Sequence, residues 1–235
     1  MKTKKIIENI WKNAPDDFMQ IEHTSQKNVL HPIISKIIND LAPKKLLDYG
    51  SGDGRIIQYL DNKIDVDLFD INDKMLKLAE YLLKDRVNYY NNIKNIWNKK
   101  YDLVLLGMVI ICLKNEEEIN VVLRNIKHLK TEDGYLIISV PHPCFRDKHF
   151  SNFKTSFCDL RPFKYLNDAT PFDVTIVDSK EKFVSFVDYH WSLSTTINLL
   201  IENGFKIKKI IETKDDVSHP NFNPLFSPYL IIIAN

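Results

Sequence analysis

Glycine is scarce in this chain: six in 235 residues. Three of the six crowd into five positions, within the stretch LLDYGSGDGR at 46–55. Cysteine is scarcer still. Cys112, Cys144 and Cys158 form no CxxC pair and no metal-like cluster, and their odd number and wide spacing favour reduced thiols in a cytoplasmic protein. Charge of one sign is absent. Lys and Arg number 32 against 31 Asp and Glu, a formal net charge of +1, which argues against a global electrostatic grip on nucleic acid. No run reaches the ~18 apolar residues of a membrane span. The basic start, MKTKKIIENIWKNAPDD, interrupts its apolar residues with charges and so lacks the apolar centre of a signal peptide. Neither a nucleic acid nor a membrane is therefore expected as a partner. No internal repeat or low-complexity linker divides the chain.

What is present is a pattern of alternating elements. The apolar fraction of 44% and a length of 235 residues suit one domain with a substantial core. Residues 1–43 read as a helical cap. Ile6, Ile7, Ile10 and Trp11 share one helical face, and Pro32 is expected in the first turn of a second helix whose stripe runs through Ile33, Ile34, Ile37, Ile38 and Leu41. From 44 to 141 strands such as KLLDYG, IDVDLFD, YDLVLLGMVI and GYLIISV alternate with helical segments, among them GRIIQYLDN and NDKMLKLAEYLLKD. Such alternation predicts a parallel sheet covered on both faces. Residues 142–191 form an insert ending in a period-two hairpin, FDVTIVDSKEKFVSFVDYHWSL. Residues 192–235 supply a helix, capped by Ser192 or Ser194 and stopped at Gly204, and two consecutive strands read as an antiparallel pair. The predicted fold is α/β: a Rossmann-like, doubly wound seven-stranded sheet, mostly parallel, with an antiparallel C-terminal strand.

In such sheets ligands bind beyond the carboxyl ends of the strands. The turn at Gly50, Gly52 and Gly54 lies there. Alone it is as compatible with a plain tight turn as with a ligand lying against bare backbone. Asp70, about twenty residues on at the end of the second strand, is where a carboxylate accepts both hydroxyls of a ribose. The spacing is not GxGxxG, and Asp48 and Asp53 flank and enter the turn. Carboxylates there repel a diphosphate and tolerate an ammonium group. A ligand with a ribose, a positive charge and no phosphate fits, and S-adenosylmethionine has all three attributes.

These stretches resemble the motifs of the class I S-adenosylmethionine-dependent methyltransferases. LLDYGSGDG resembles the first motif and VDLFDINDKMLKLA the second. YDLVLLGMVIICL at 101–113 resembles the fourth-strand motif, and LKTEDGYLIISVPHPCF the fifth strand with its approach. The last helix and strand pair also match, so the resemblance spans roughly residues 40 to 235. It implies S-adenosylmethionine as cofactor and S-adenosylhomocysteine as product. By position, it implies that Asp48, Gly50, Ser51, Gly52 and Gly54 line the amino-acid end, with Ser51 in place of the usual Cys. Asp70 would hold the ribose, Ile71 would pack on the adenine, and Asn91 or Asn92 would stand where an Asp often meets the adenine amino group. Gly107 and Met108 would border the methionine portion.

Substrate contacts are expected from the cap and the insert. His142, between two prolines after the fifth strand, is the leading candidate for a base or positioning group, since an ordinary His titrates near neutrality. Tyr189 and His190 are further candidates, either for substrate contact or for packing. Trp11 and His31 reach the pocket if the cap folds over it. Between 142 and 164 the insert carries five Lys and Arg against two Asp. This is either a solvated basic loop or an anion clamp built on Arg146 and Arg161. The reading favoured by the sequence is O-methylation of an anionic or phenolic small metabolite. The alternatives are N- or C-methylation, for instance of a quinone-like ring, a tRNA-modifying enzyme, or a non-catalytic cofactor-binding module. No metal is expected, and oligomeric state is not legible.

Overall fold

The computed structural model describes residues 21, 23–160, 162–177, 181 and 183–235. Trp11, Arg161 and the apolar face at Ile6–Trp11 lie outside the described residues. The main sheet has seven strands: β1 (Lys45–Tyr49), β2 (Asp65–Phe69), β3 (Asn88–Tyr90), β4 (Tyr101–Gly107), β5 (Lys130–Pro141), and, from the far end of the chain, β9 (Ile207–Glu212) and β10 (Tyr229–Ala234). Their order is β3-β2-β1-β4-β5-β10-β9. β10 runs antiparallel to both β5 and β9, and the other pairings are parallel. The reversal of strand order between β1 and β4 is the switch point at which doubly wound sheets bind ligands, and the glycine turn leaves β1 there.

The continuous apolar runs of these strands follow from burial on both faces. Leu46, Leu103, Leu105 and Ile137 point into one core with Ile34, Ile38 and Ala79, on α1 (His31–Leu41) and α2 (Asp73–Leu83). Their neighbours Leu47, Val104, Leu106 and Ile138 point into the other, against Leu123 and Ile126 of α3 (Glu116–Leu129) and Leu199 of α4 (Leu193–Glu202). Ser192 caps α4, accepting from the Thr195 N–H at 3.3 Å, and Gly204 follows it at φ +77°.

Pro32 lies in the first turn of α1, as expected, and a π-turn over Gln26–Leu30 runs straight into that helix. Two other local expectations are revised. GRIIQYLDN forms only a short 3-10 stretch, Arg55–Tyr59. The side-chain amide of Asn39 ends it, donating to the Tyr59 carbonyl and accepting from the Asp61 N–H at 3.2 and 3.0 Å. The expected hairpin is present as β7 (Thr170–Val177) and β8 (Phe183–His190), paired antiparallel, and β6 (Phe153–Ser156) extends it to a three-stranded sheet that the sequence did not announce. Its buried residues, among them Phe153, Val174, Ile176 and Val184, join the α1/α2 core, so the insert covers that face of the main sheet.

Candidate active site

The glycine turn is held to the end of β2 by its own backbone. The N–H groups of Gly50 and Ser51 both donate to the Phe69 carbonyl, at 2.7 and 3.1 Å. Gly50, Gly52 and Gly54 all have φ between +55° and +78°. Side chains are excluded for a second reason at two of them. A Cβ on Gly50 would collide with Cγ2 of Val109, and one on Gly54 would lie 2.9 Å from methyls of Leu68 and Leu83. Gly54 thus packs against the core and does not face the cavity, whereas Gly50, Ser51 and Gly52 do.

Three carboxylates meet at the turn. Asp70 accepts from the Gly52 N–H at 2.7 Å on one oxygen and from the Asn72 N–H at 2.8 Å on the other. The carboxylate retains acceptor capacity for a ribose hydroxyl. Burial raises the pKa of Asp70 against the opposing pull of these N–H groups. Asp53 pairs with Arg55 at 2.5 Å. Asp48, at the end of β1, is buried, and burial pushes its pKa up to about 8, with Asp70 and Asp53 adding repulsion. An adjacent cation would stabilise its ionised form.

From the turn a cavity of about 700 Å³ extends to the inserted sheet. Ile71, Asn91, Asn92, Gly107, Met108 and His31 all line it. The Asn91 amide donates to Asp73 at 2.7 Å, and Asn92 accepts from the Lys94 N–H at 3.0 Å, so both are turned toward protein partners. Met108 has the left-handed φ of +61° and donates from its N–H to the Ser139 carbonyl at 2.8 Å. His31 is held neutral, its pKa lowered to about 4 by burial and by Arg55. The hydroxyls of Ser51 and Ser139 are buried in the wall without a hydrogen-bond partner. Orphaned hydroxyls, backbone left bare by glycine and a carboxylate that gains from a cation fit a nucleoside with a cationic amino-acid arm.

The candidates for catalysis are placed elsewhere. His142 has its ring pinned by Glu212 of β9 at 2.7 Å through Nε2, and its Nδ1 accepts from the Cys144 N–H at 3.2 Å. It ties the start of the insert to the sheet edge and is not in the cavity wall. His190 is buried, with Nε2 2.8 Å from the Tyr165 carbonyl and its ring edge-on to Phe163. Tyr189 packs, half-buried, on the α3/α4 core. Neither lines the cavity. Arg146 is buried, not exposed on a basic loop: its guanidinium lies over the Phe172 ring at 5.6 Å, outside the cavity wall.

The residue that sequence reasoning missed is Asp188. It lies on the inward face of β8, is fully buried, and contributes to the cavity wall with both carboxylate oxygens unpartnered. The signal was there: Val184, Phe186, Asp188 and His190 occupy one face at period two, and a carboxylate stands in an apolar series. Val109, Cys112, His23 and Arg55 also line the cavity. Among the described residues no group of His, Cys, Asp or Glu is arranged to hold a metal, and no helix is long and apolar enough to cross a membrane.

Several solved structures share the fold. An S-adenosylmethionine-dependent methyltransferase from Clostridium acetobutylicum aligns over 87% of this chain and 89% of its own at 15% identity, with a TM-score of 0.61. The methyltransferase CcbJ from Streptomyces caelestis aligns over 87% and 88% at 15% identity and a TM-score of 0.61. The glycopeptide N-methyltransferase MtfA aligns over 88% of each chain at 12% identity and a TM-score of 0.63. No curated protein matches. The strand order shared with these structures, together with the match to a family model, makes the chain a class I S-adenosylmethionine-dependent methyltransferase, an enzyme whose cofactor is S-adenosylmethionine. Within that class the chain belongs to the TehB family, whose model, described as tellurite resistance protein TehB, matches residues 16–143.

Proposed function

We propose that the protein methylates a small molecule that enters the cavity between the glycine turn and the inserted sheet. The observation that carries this reading is the continuity of one cavity from Asp48 and Asp70 to Phe186 and Asp188. Its volume of about 700 Å³ falls within the ~300–1,000 Å³ of small-ligand sites. S-adenosylmethionine supplies an electrophilic methyl on its sulfonium. The protein's part is alignment and exclusion of water, the main contributions to such a displacement. Asp70 holds the ribose, Asp48 takes the ammonium of the amino-acid arm beside the bare glycine turn, and Ile71 with Ile93 packs beside the base.

The anionic acceptor favoured by the basic insert loses its support from Arg146, which is buried over Phe172. Arg161 lies outside the described residues. A wall containing Asp188 and flanked by Asp48, Asp53 and Asp70 favours acceptors that arrive with a proton or a positive charge. The reading is tested by calorimetric titration with S-adenosylhomocysteine. Asp70→Ala should weaken binding by ~1–3 kcal/mol, the scale of hydrogen bonds to a charged group. A folded Asp70→Ala protein with unchanged affinity removes Asp70 from the site. A turnover screen should then include amines, phenols, carboxylates and, because of the family's description, tellurite.

A further inference from the structure

We propose that Asp188 is the acceptor-binding residue and that the acceptor is an amine, held as its ammonium form and deprotonated by this carboxylate before methylation at nitrogen. The inference rests on the methyl-transfer reading above and names the substrate class.

The argument begins with the inserted sheet. Its inner face turns Phe153, Ile176 and Phe186 toward the cavity, with Asp188 as the polar exception. Buried carboxylates are ordinarily paired or hydrogen-bonded, because desolvation of an isolated charge is costly. Asp188 has neither kind of partner on either oxygen. Arg146 is its nearest cationic influence, yet the guanidinium sits over Phe172, the cross-strand partner of Asp188, and its Nε and Nη1 are also without hydrogen bonds. The two charges feel each other without forming a pair. A carboxylate in this setting has unfilled acceptor capacity in a residue of the cavity wall, among apolar side chains that suit a hydrocarbon or aromatic body.

Charge decides the class of ligand. The cavity wall carries Asp48, Asp53, Asp70 and Asp188, against Arg55, which is engaged with Asp53. An anionic acceptor would meet repulsion from Asp188, and an alcohol or phenol, with a single O–H, would leave one of its oxygens without a donor. An ammonium supplies both charge and donors. Asp188, Cys112 and Asp70 line one cavity, and the Cys112 thiol is kept protonated by burial, with Asp188 and Asp70 adding to the shift. Burial pushes the Asp188 pKa up to about 7, with Arg146 opposing, so it exchanges a proton near neutrality.

The step balances. The ammonium gives one proton to Asp188, the freed nitrogen lone pair forms the N–CH₃ bond, and the electrons of the methyl–sulfur bond remain on sulfur. The product leaves as a protonated N-methylamine, and Asp188 returns its proton to solvent.

The test uses the full chain saturated with S-adenosylhomocysteine and three probes of matched shape: 2-phenylethylammonium, 2-phenylethanol and phenylacetate. Calorimetry should find the ammonium bound about tenfold or more tightly than the alcohol, with phenylacetate weakest. Asp188→Asn, of the same shape, should abolish that preference while leaving S-adenosylhomocysteine affinity intact. The charge preference of the unmodified protein needs no variant, so a poorly folding Asp188→Asn leaves the proposal exposed to refutation. Absence of an ammonium preference, tighter binding of phenylacetate, or a preference that survives in folded Asp188→Asn overturns the proposal. Failure of S-adenosylhomocysteine to bind at all overturns the methyl-transfer reading itself.

Discussion

Replacing Gly50 by alanine tests the glycine turn most directly. Gly50 sits at φ +78°, and a Cβ there would run into Cγ2 of Val109 and lie 3.6 Å from its Cβ and Cγ1. Two separable costs follow. Left-handed backbone costs an L residue ~1–2 kcal/mol. Forcing a methyl against a β-branched side chain, whose χ1 is stiff, adds ~1–3 kcal/mol of overpacking. Together these are a large part of the ~5–15 kcal/mol that holds a typical domain folded. Relief by movement of Val109 is not free either, because Val109 lines the cavity. Gly50→Ala should therefore lower both the urea midpoint and the affinity for S-adenosylhomocysteine. Adding Val109→Ala should recover the steric share, ~1–3 kcal/mol, and leave the backbone share in place, a coupling read from the double-mutant cycle. An unchanged midpoint and affinity in Gly50→Ala, or strictly additive single effects, would refute the reasoning.

Two further predictions concern buried ionisable groups. Asp48 has its folded pKa raised to about 8 from 3.8, so its ionisation opposes folding increasingly as pH rises from about 4 towards 8. Asp48→Asn should then stabilise the ligand-free protein more at pH 8.5 than at pH 5, read as the difference in thermal midpoints, while weakening S-adenosylhomocysteine binding. A midpoint gain equal at both pH values would show that Asp48 keeps an ordinary pKa. His142→Gln should cost roughly 1 kcal/mol of stability through the lost bond to Glu212 and leave cofactor affinity unchanged. If that variant keeps its stability but loses turnover on an identified amine, the ring has a catalytic role that its present contacts do not suggest.

The sequence was legible where burial is two-sided. β1, β2, β4, β5 and β10 read as strands because both faces are covered, and their apolar runs had no competing period. β6 was not legible: four residues, FKTS, bury only Phe153 and Thr155, and a pattern that short inside a basic stretch looks like loop. The 3-10 segment after the glycine turn was misread because its terminator, Asn39, lies on α1, some twenty residues earlier in the chain. Local propensity carries no record of such a partner.

The same distinction separates the cofactor half of the site from the acceptor half. The cofactor half is built from consecutive motifs on β1, β2 and β4, each ending at the switch point, so position along the strand fixes position in the site. The acceptor half depends on which way individual side chains turn in an insert, and contacts distant in sequence decide that. His142 faces away because Glu212 captures it from β9, and Arg146 is drawn under the inserted sheet to Phe172. His142 drew notice by its chemistry and its place after the fifth strand, and Arg146 by its place in a basic insert, but neither position fixes the direction of the side chain. Asp188 is marked instead by its place in a period-two series, Val184-x-Phe186-x-Asp188-x-His190, where the lattice of the strand requires an inward side chain and the residue is a carboxylate. In an insert of this kind a polar residue at an inward strand position is a stronger pointer to a ligand than a reactive residue in a loop, because the strand dictates its direction and burial raises the cost of leaving it unpaired.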